Sequence, residues 1–230
     1  MEAVVLAGGL GTRLAQVVRD VPKPMAPVAG RPFLEILLAW LARKGFTRVV
    51  LSVGHMAEII VDHFGARFAG MDLVYEVETS PLGTGGAIRQ ASSHCTAAHY
   101  FVFNGDSYLD LDVVQVEAQW HAHRAPIIVA RAVPDTTRYG CLTTHEGRVT
   151  AFVAQGVGGP GLINAGCYVF GKDELVGKPQ GQAFSIETDY FVTEVQRRRF
   201  DYFLTDGQFI DIGVPADYAR AQTLLAGICG

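Results

Sequence analysis

No apolar stretch of the chain approaches the roughly 18 to 20 residues needed to cross a bilayer, and the first residues run straight into a strand pattern without a basic n-region or cleavage site. Both absences point to a cytoplasmic protein that takes no membrane partner. Cysteine is scarce: Cys95, Cys141, Cys167 and Cys229 lie far apart and form no C-x-x-C pair. That spacing excludes a zinc knuckle and a disulfide framework and leaves reduced thiols. His121 and His123 stand two apart, so on a helix they point to different sides and cannot chelate together. Basic charge is scarce too, with a formal net charge of −4 and a single basic run, Arg197-Arg198-Arg199. The run reads as a solvated helix end near the negative pole, and no stripe exists that would neutralise nucleic-acid phosphates. Internal repeats and low-complexity segments are missing as well.

What remains is an ordinary globular composition, 230 residues with 49% hydrophobic and 18% charged, enough for one large core and read as one domain over residues 1–230. The 26 glycines exceed the usual ~7% share and gather in a few clusters, which mark sites or tight turns. Residues 1–112 alternate short β-branched runs with helical patterns: strands at Ala3–Ala7, Val49–Val53, Leu73–Val77 and Tyr100–Asn104, helices at Phe33–Lys44, Ala57–Phe64 and Gly85–Ser93. This is the pattern of βαβ units and a parallel, doubly wound sheet, with Gly45 as a helix stop. Residues 113–230 change character: strands at Ile127–Ala132, Cys141–Thr144, Val149–Val153 and Ala165–Phe170 follow one another through short turns rather than long helices. A helix at Asp189–Arg198, a strand at Tyr202–Thr205, the segment Phe209–Ile212 and a helix at Ala216–Leu225 complete a mixed sheet carrying hairpins.

The first strand runs into Ala7-Gly-Gly-Leu-Gly-Thr-Arg-Leu14, a glycine-rich turn of the kind that holds phosphate. It is not a P-loop, because no Gly-Lys-Ser/Thr follows. Nor is it the dinucleotide fingerprint G-x-G-x-x-G, whose third glycine is here Leu14. Arg13, a planar cation with five donors, suits a polyphosphate, and Leu14 implies a following helix that need not pack tightly on the sheet. Serine, cysteine or histidine arranged for nucleophilic catalysis is not evident.

Further along stand Pro22-Lys-Pro-Met25, Pro81-Leu-Gly-Thr-Gly-Gly-Ala87, Phe103-Asn-Gly-Asp106, Asn164-Ala-Gly166 and Phe209-Ile-Asp-Ile-Gly-Val-Pro-Ala-Asp-Tyr218. Singly, each fits a turn, a loop or a cap. In this order they resemble the sugar-phosphate nucleotidyltransferase family along nearly the whole chain. The resemblance implies a Rossmann-like, doubly wound α/β fold of GT-A-like type, its sheet mixed but mostly parallel, with a small antiparallel extension. It divides the chain into a nucleotide-binding half, 1–112, and a sugar-binding half, 113–230. It implies a reaction in which a sugar 1-phosphate attacks the α-phosphorus of a nucleoside triphosphate and pyrophosphate leaves.

The implied roles fall on matching positions. Arg13, Lys23 and Asp106 serve catalysis, and Asp106 with Asp211 hold Mg2+, a hard ion that prefers oxygen ligands. Leu6, Ala7, Gly8, Gly9, Gly11 and Thr12, with Gly83 and Thr84, bind the nucleotide; Asn164, Gly166 and Glu187, with Arg138 and Gly140, bind the sugar. The P-L-G-T form resembles that of guanylyl-transferring members and so implies GTP, while the compact length and the stretches 21–35, 80–88, 163–170 and 209–218 resemble the branch that acts on a heptose 1-phosphate; Glu78 stands either as a reader of guanine N1 and N2 or as a solvated loop acid. Where many relatives carry a lysine after the middle hairpin, this chain has Gln155, followed by a glycine run, 156–161, read as a mobile loop. A mannose 1-phosphate guanylyltransferase, a uridylyltransferase of another sugar and a catalytically silent nucleotide-binding regulator stay open as alternatives, and family precedent suggests a homodimer by analogy only.

Overall fold

The computed structural model describes residues 1–9, 11, 14, 18 and 20–228; Thr12, Arg13 and Cys229 therefore lie outside the described residues. Strand β1 (Glu2–Ala7) leads, past the glycine loop, to a small hairpin of β2 (Pro27–Val28) and β3 (Arg31–Pro32), then helix α1 (Phe33–Arg43). There follow β4 (Arg48–Val53), α2 (Ala57–Phe64), β5 (Arg67–Phe68), β6 (Met71–Val77), α3 (Gly83–Ala91), β7 (His99–Asn104) and β8 (Ser107–Leu109). The second half holds α4 (Val113–His123), β9 (Ile127–Val133), β10 (Cys141–His145), β11 (Arg148–Val153) and β12 (Gly161–Gly171). It ends with α5 (Val192–Arg197), β13 (Asp201–Leu204), β14 (Phe209–Asp211) and α6 (Pro215–Leu224). No described helix is long and apolar enough to cross a membrane.

One ten-stranded sheet runs through both halves in the order β10-β11-β13-β9-β12-β7-β1-β4-β6-β5. β7, β1, β4 and β6 are parallel neighbours, as the βαβ pattern requires. β12 turns the sheet antiparallel against β7 and β9, and β10 pairs with both β11 and β12, so the second half curls back on itself. Period-two alternation divides the parallel strands cleanly: Ala3, Val5 and Ala7 enter one core with Val49, Leu51 and Phe101, while Val4, Val50 and Val102 enter the other.

Helix α1 illustrates how the sequence builds a site-bearing layer. Pro32 at its start fixes the entry, Glu35 lies in the first turn near the positive pole, and Arg31 pairs with Glu35 at i,i+4 spacing. Gly45, at φ +87°, ends it, and the Phe46 N–H reaches back to the Leu41 carbonyl. Trp40, 2% exposed, packs edge-on against Phe103 and Tyr108 and donates from Nε1 to Asp110, anchoring the β7–β8 turn from below. Removing that side chain would cost about 3–5 kcal/mol.

Four features differ from the sequence reading. Helix α4 was not foreseen, because only Val113, Val116 and Trp120 are buried on it, too narrow a stripe to show as periodicity. Leu14, expected where close packing is not needed, is 1% exposed and belongs to the core. The glycine run, expected as a mobile loop, is hydrogen-bonded to the preceding turn, Gly156 N to Tyr139 O and Thr136 N to Gly159 O. The basic run is likewise not merely solvated: Arg198 pairs with Glu174 and Arg199 with the fully buried Asp201.

Candidate functional site

The carboxyl ends of the four parallel strands open on one side, where ligands of such sheets bind. A cleft of about 640 Å³ lies there, lined by Leu6, Gly8, Gly9, Gly11, Glu78 and Thr84 among others. A recess of about 180 Å³, lined by Lys23, Asn104 and Asp106, shares Leu6, Gly9 and Thr84 with it, so the two are continuous. Gly11 explains part of the loop: it has φ +60°, and a Cβ on it would lie 2.8 Å from the Lys23 Cβ. Ala7 is 1% exposed in the core, leaving only its main chain for a ligand. Gly83 lines the cleft, but the α3 N-terminus beside it is already capped: the Phe184 carbonyl accepts from the Gly85 and Gly86 N–H groups.

Asp106 and Asp211, far apart in sequence, meet through the ladder of β8 and β14, which sets Asp211 opposite Ser107, while Ile212 N donates to the Asp106 carbonyl. Lys23 Nζ forms an ion pair with Asp106. An atom at the Cβ position of Gly213 would lie 2.8 Å from Asp211 Oδ1 and 3.2 Å from Lys23 Nζ, so the lysine that pairs with Asp106 also stands beside Asp211. Burial, and then the charge of Asp106, push the Asp211 carboxyl above the usual range, although Lys23, the Gly213 N–H and Arg138 pull it down. Two crowded hard-oxygen groups, one of them reluctant to ionise alone, suit a divalent cation of the magnesium type.

A second polar group links the P-L-G-T loop to the second half. Thr84 Oγ1 donates to Glu187 Oε2 at 2.8 Å and accepts from the Ile186 N–H at 2.9 Å. Ser185 Oγ and Tyr168 Oη also donate to Glu187, and Asn164 Nδ2 donates to Tyr168 Oη at 2.7 Å. Thr84, expected on the nucleotide, is therefore joined to the expected sugar residues. Gly166, at φ +71°, gives β12 a bulge; a Cβ there would strike Asn104 Nδ2 at 2.6 Å, so N-A-G and N-G-D touch. Gly140 accepts from the Asn164 N–H at 2.8 Å, whereas Arg138 is held by Asp217 at 2.7 Å. Gln155 is exposed.

Sequence reasoning missed Ser52, Asn104 and Tyr168. Ser52 is fully buried and donates to Glu78 Oε1 at 3.0 Å, while Leu82 N donates to Oε2 at 3.2 Å. Glu78 is thus a fixed acid in the cleft wall rather than a solvated loop residue. A polar residue in the otherwise apolar run Val49-Val-Leu-Ser-Val53 was the available signal.

A nucleotidyl transferase family model matches residues 2–227. The chain belongs to the nucleotidyl transferase family. Among curated relatives of the family, it is 38% identical over 96% of its length, and 97% of the relative's, to the D-glycero-alpha-D-manno-heptose 1-phosphate guanylyltransferase of Aneurinibacillus thermoaerophilus. It is 36% identical over 95% of its length, and 97% of the relative's, to the enzyme of that name from Campylobacter jejuni. Among solved structures, HddC from Yersinia pseudotuberculosis superposes with a TM-score of 0.86 at 36% identity, covering 96% of this chain and 98% of that one. Its complex with GMP-PN gives 0.84 over the same shares.

Proposed function

We propose that the protein is a sugar-1-phosphate guanylyltransferase that joins GMP from GTP to D-glycero-D-manno-heptose 1-phosphate and releases pyrophosphate. The observation that carries this reading is the grouping of Lys23 with Asp106 and Asp211, the lysine paired with one and standing beside the other, at the end of a cleft that also holds the Glu78 carboxylate. The heptose 1-phosphate guanylyltransferases at 36–38% identity, and GMP-PN in the Yersinia complex, support acceptor and donor alike.

The attacking oxygen is already an anionic phosphate oxygen, so no side chain has to activate it. A bond forms between that oxygen and the α-phosphorus, the bond from α-phosphorus to the bridging oxygen breaks, and the electron pair leaves on pyrophosphate. Catalysis then consists of aligning two polyanions and neutralising the charge that develops between them. Lys23 supplies a compact cation for the α-phosphate, and its ion pair with Asp106 supports that role. The loop from Gly8 to Thr12 supplies main-chain donors and Arg13 grips the pyrophosphate end. Asp106 and Asp211 hold Mg2+, which when bound screens phosphate charge and polarises the α-phosphoryl group. Glu78, fixed by Ser52, keeps lone pairs for guanine N1 and N2. Glu187, Asn164 and Gly166 face the sugar, with Arg138 and Gly140 shaping the turn behind them.

A second reading, a mannose 1-phosphate guanylyltransferase, is favoured by the enzyme of that name from Mycobacterium tuberculosis, 35% identical over 99% of this chain but with only 66% of its own length matched. Pyrophosphate release measured for GTP, UTP, dTTP and CTP against heptose, mannose and glucose 1-phosphates tests both. The expected result is the highest kcat/KM with GTP and the heptose phosphate; preference for another nucleotide overturns the proposal, and preference for mannose 1-phosphate selects the second reading.

A further inference from the structure

The nucleotide cleft lies at the carboxyl end of β7, and the amino end of the same strand carries another group of ligand-type side chains. His99 begins β7, is 9% exposed, and stacks on Trp120 at 4.1 Å between ring centres and 23° between planes. Its Nε2 lies 3.0 Å from Glu117 Oε1. Glu117 and His121 stand one turn apart on α4, at the i,i+4 spacing that puts both on one face. One ligand atom from each of His99, Glu117 and His121 lies within 4.8 Å of the others.

We propose that His99, Glu117 and His121 form a binding site for a divalent transition metal of the zinc class, which ties α4 to the start of β7. Two imidazoles and one carboxylate are the donor set that zinc accepts with a fourth position left to water. The site is largely prebuilt: stacking on Trp120 fixes the His99 ring, and the helix fixes the pitch between Glu117 and His121. A tetrahedral edge of about 3.3 Å, from Zn–N bonds near 2.0–2.1 Å, is reached if the exposed His121 ring turns inward. The Arg124 guanidinium, 4.4 Å from the Trp120 ring centre, is a cation placed to oppose a bound metal, and the Glu117 charge offsets it. His123 takes no part, being paired with Asp201 at 2.5 Å. This site is separate from the carboxylates at Asp106 and Asp211, and it stands whether or not the proposed reaction is correct.

The test is a titration of untagged protein with Zn2+ by calorimetry, and with Co2+ by visible absorption, in millimolar Mg2+ to occupy oxygen-only sites. One equivalent is expected to bind the wild type, with a four-coordinate cobalt spectrum and a higher Tm. His121→Ala and Glu117→Gln should each weaken binding at least ~10-fold and abolish the Tm gain, while turnover stays unchanged. His145→Ala, on an exposed hairpin, is the control for adventitious surface binding. The proposal is overturned if the wild type binds no stoichiometric zinc, if either variant binds as the wild type does, or if the control loses as much affinity as they do.

Discussion

Replacing Asp211 by asparagine separates catalytic from structural roles, because the two predict opposite changes. The amide keeps an oxygen to accept the Gly213 N–H, which Asp211 Oδ1 now accepts at 2.6 Å, and keeps the volume, so the β8–β14 ladder stays intact. What disappears is one of two negative charges facing the proposed metal. A metal contributes several kcal/mol to the transition state and each ~1.36 kcal/mol is a factor of ten, so kcat should fall by roughly 10²-fold or more at saturating Mg2+. Stability should move the other way. Burial and Asp106 raise the Asp211 carboxyl in the folded state, so its ionised form opposes folding above that raised value, and the cost fades as pH falls toward the ordinary 3.8. Metal-free Asp211→Asn should therefore melt no lower than wild type at pH 7, with any advantage vanishing in acid; for a chain of this size 1 kcal/mol moves Tm by about 2–4 °C. Steady-state pyrophosphate release and thermal melts in EDTA read the two effects. Turnover close to wild type, or a Tm several degrees lower at pH 7, would refute the reasoning.

Four further outcomes follow from the same contacts. Glu187→Gln removes the charge that Thr84, Ser185 and Tyr168 donate to, and should raise the KM for the sugar phosphate about 10-fold or more while leaving that for GTP nearly unchanged; a matching rise for GTP would move Glu187 to the nucleotide. Glu78→Gln should lower kcat/KM for GTP by roughly 10- to 100-fold and leave UTP almost untouched, and an unchanged GTP to UTP ratio would count against base reading by Glu78. Gln155→Lys, at an exposed position, should leave kcat intact and lower or preserve the KM for the sugar phosphate, whereas a large fall in kcat would give Gln155 another role. Burial raises the Glu2 carboxyl, but hydrogen bonds from Ala97 N and from the Thr96 hydroxyl and N–H, with Arg48 nearby, bring it below 4.5. Its contribution is thus full above pH 4.5 and is lost as pH falls through the lower folded value, so Glu2→Gln should cost about 1–3 kcal/mol at pH 7 and flatten the acid limb of a Tm profile.

The sequence by itself determined the layers and the location of the site. Strands such as Ala3–Ala7 and Val49–Val53 and helices such as α1 and α2 are written in local periodicity, and Gly45 and Pro32 mark a boundary by backbone chemistry alone. The glycine loop and N-G-D could be placed at strand ends for the same reason: turns are local. Helix α4 escaped because its burial depends on a narrow contact with the sheet, and the fate of Leu14 and of the glycine run depended on partners distant in sequence. Only the tertiary structure decided which groups meet. β14 had to lie on β8 for Asp211 to reach Asp106, Thr84 had to find Glu187 across the cleft, and Ser52 had to be buried beneath Glu78 to fix its carboxylate. Periodicity acts over a few residues through the backbone, whereas charge pairing and hydrogen bonding act through space, and no spacing along the chain carries that distance.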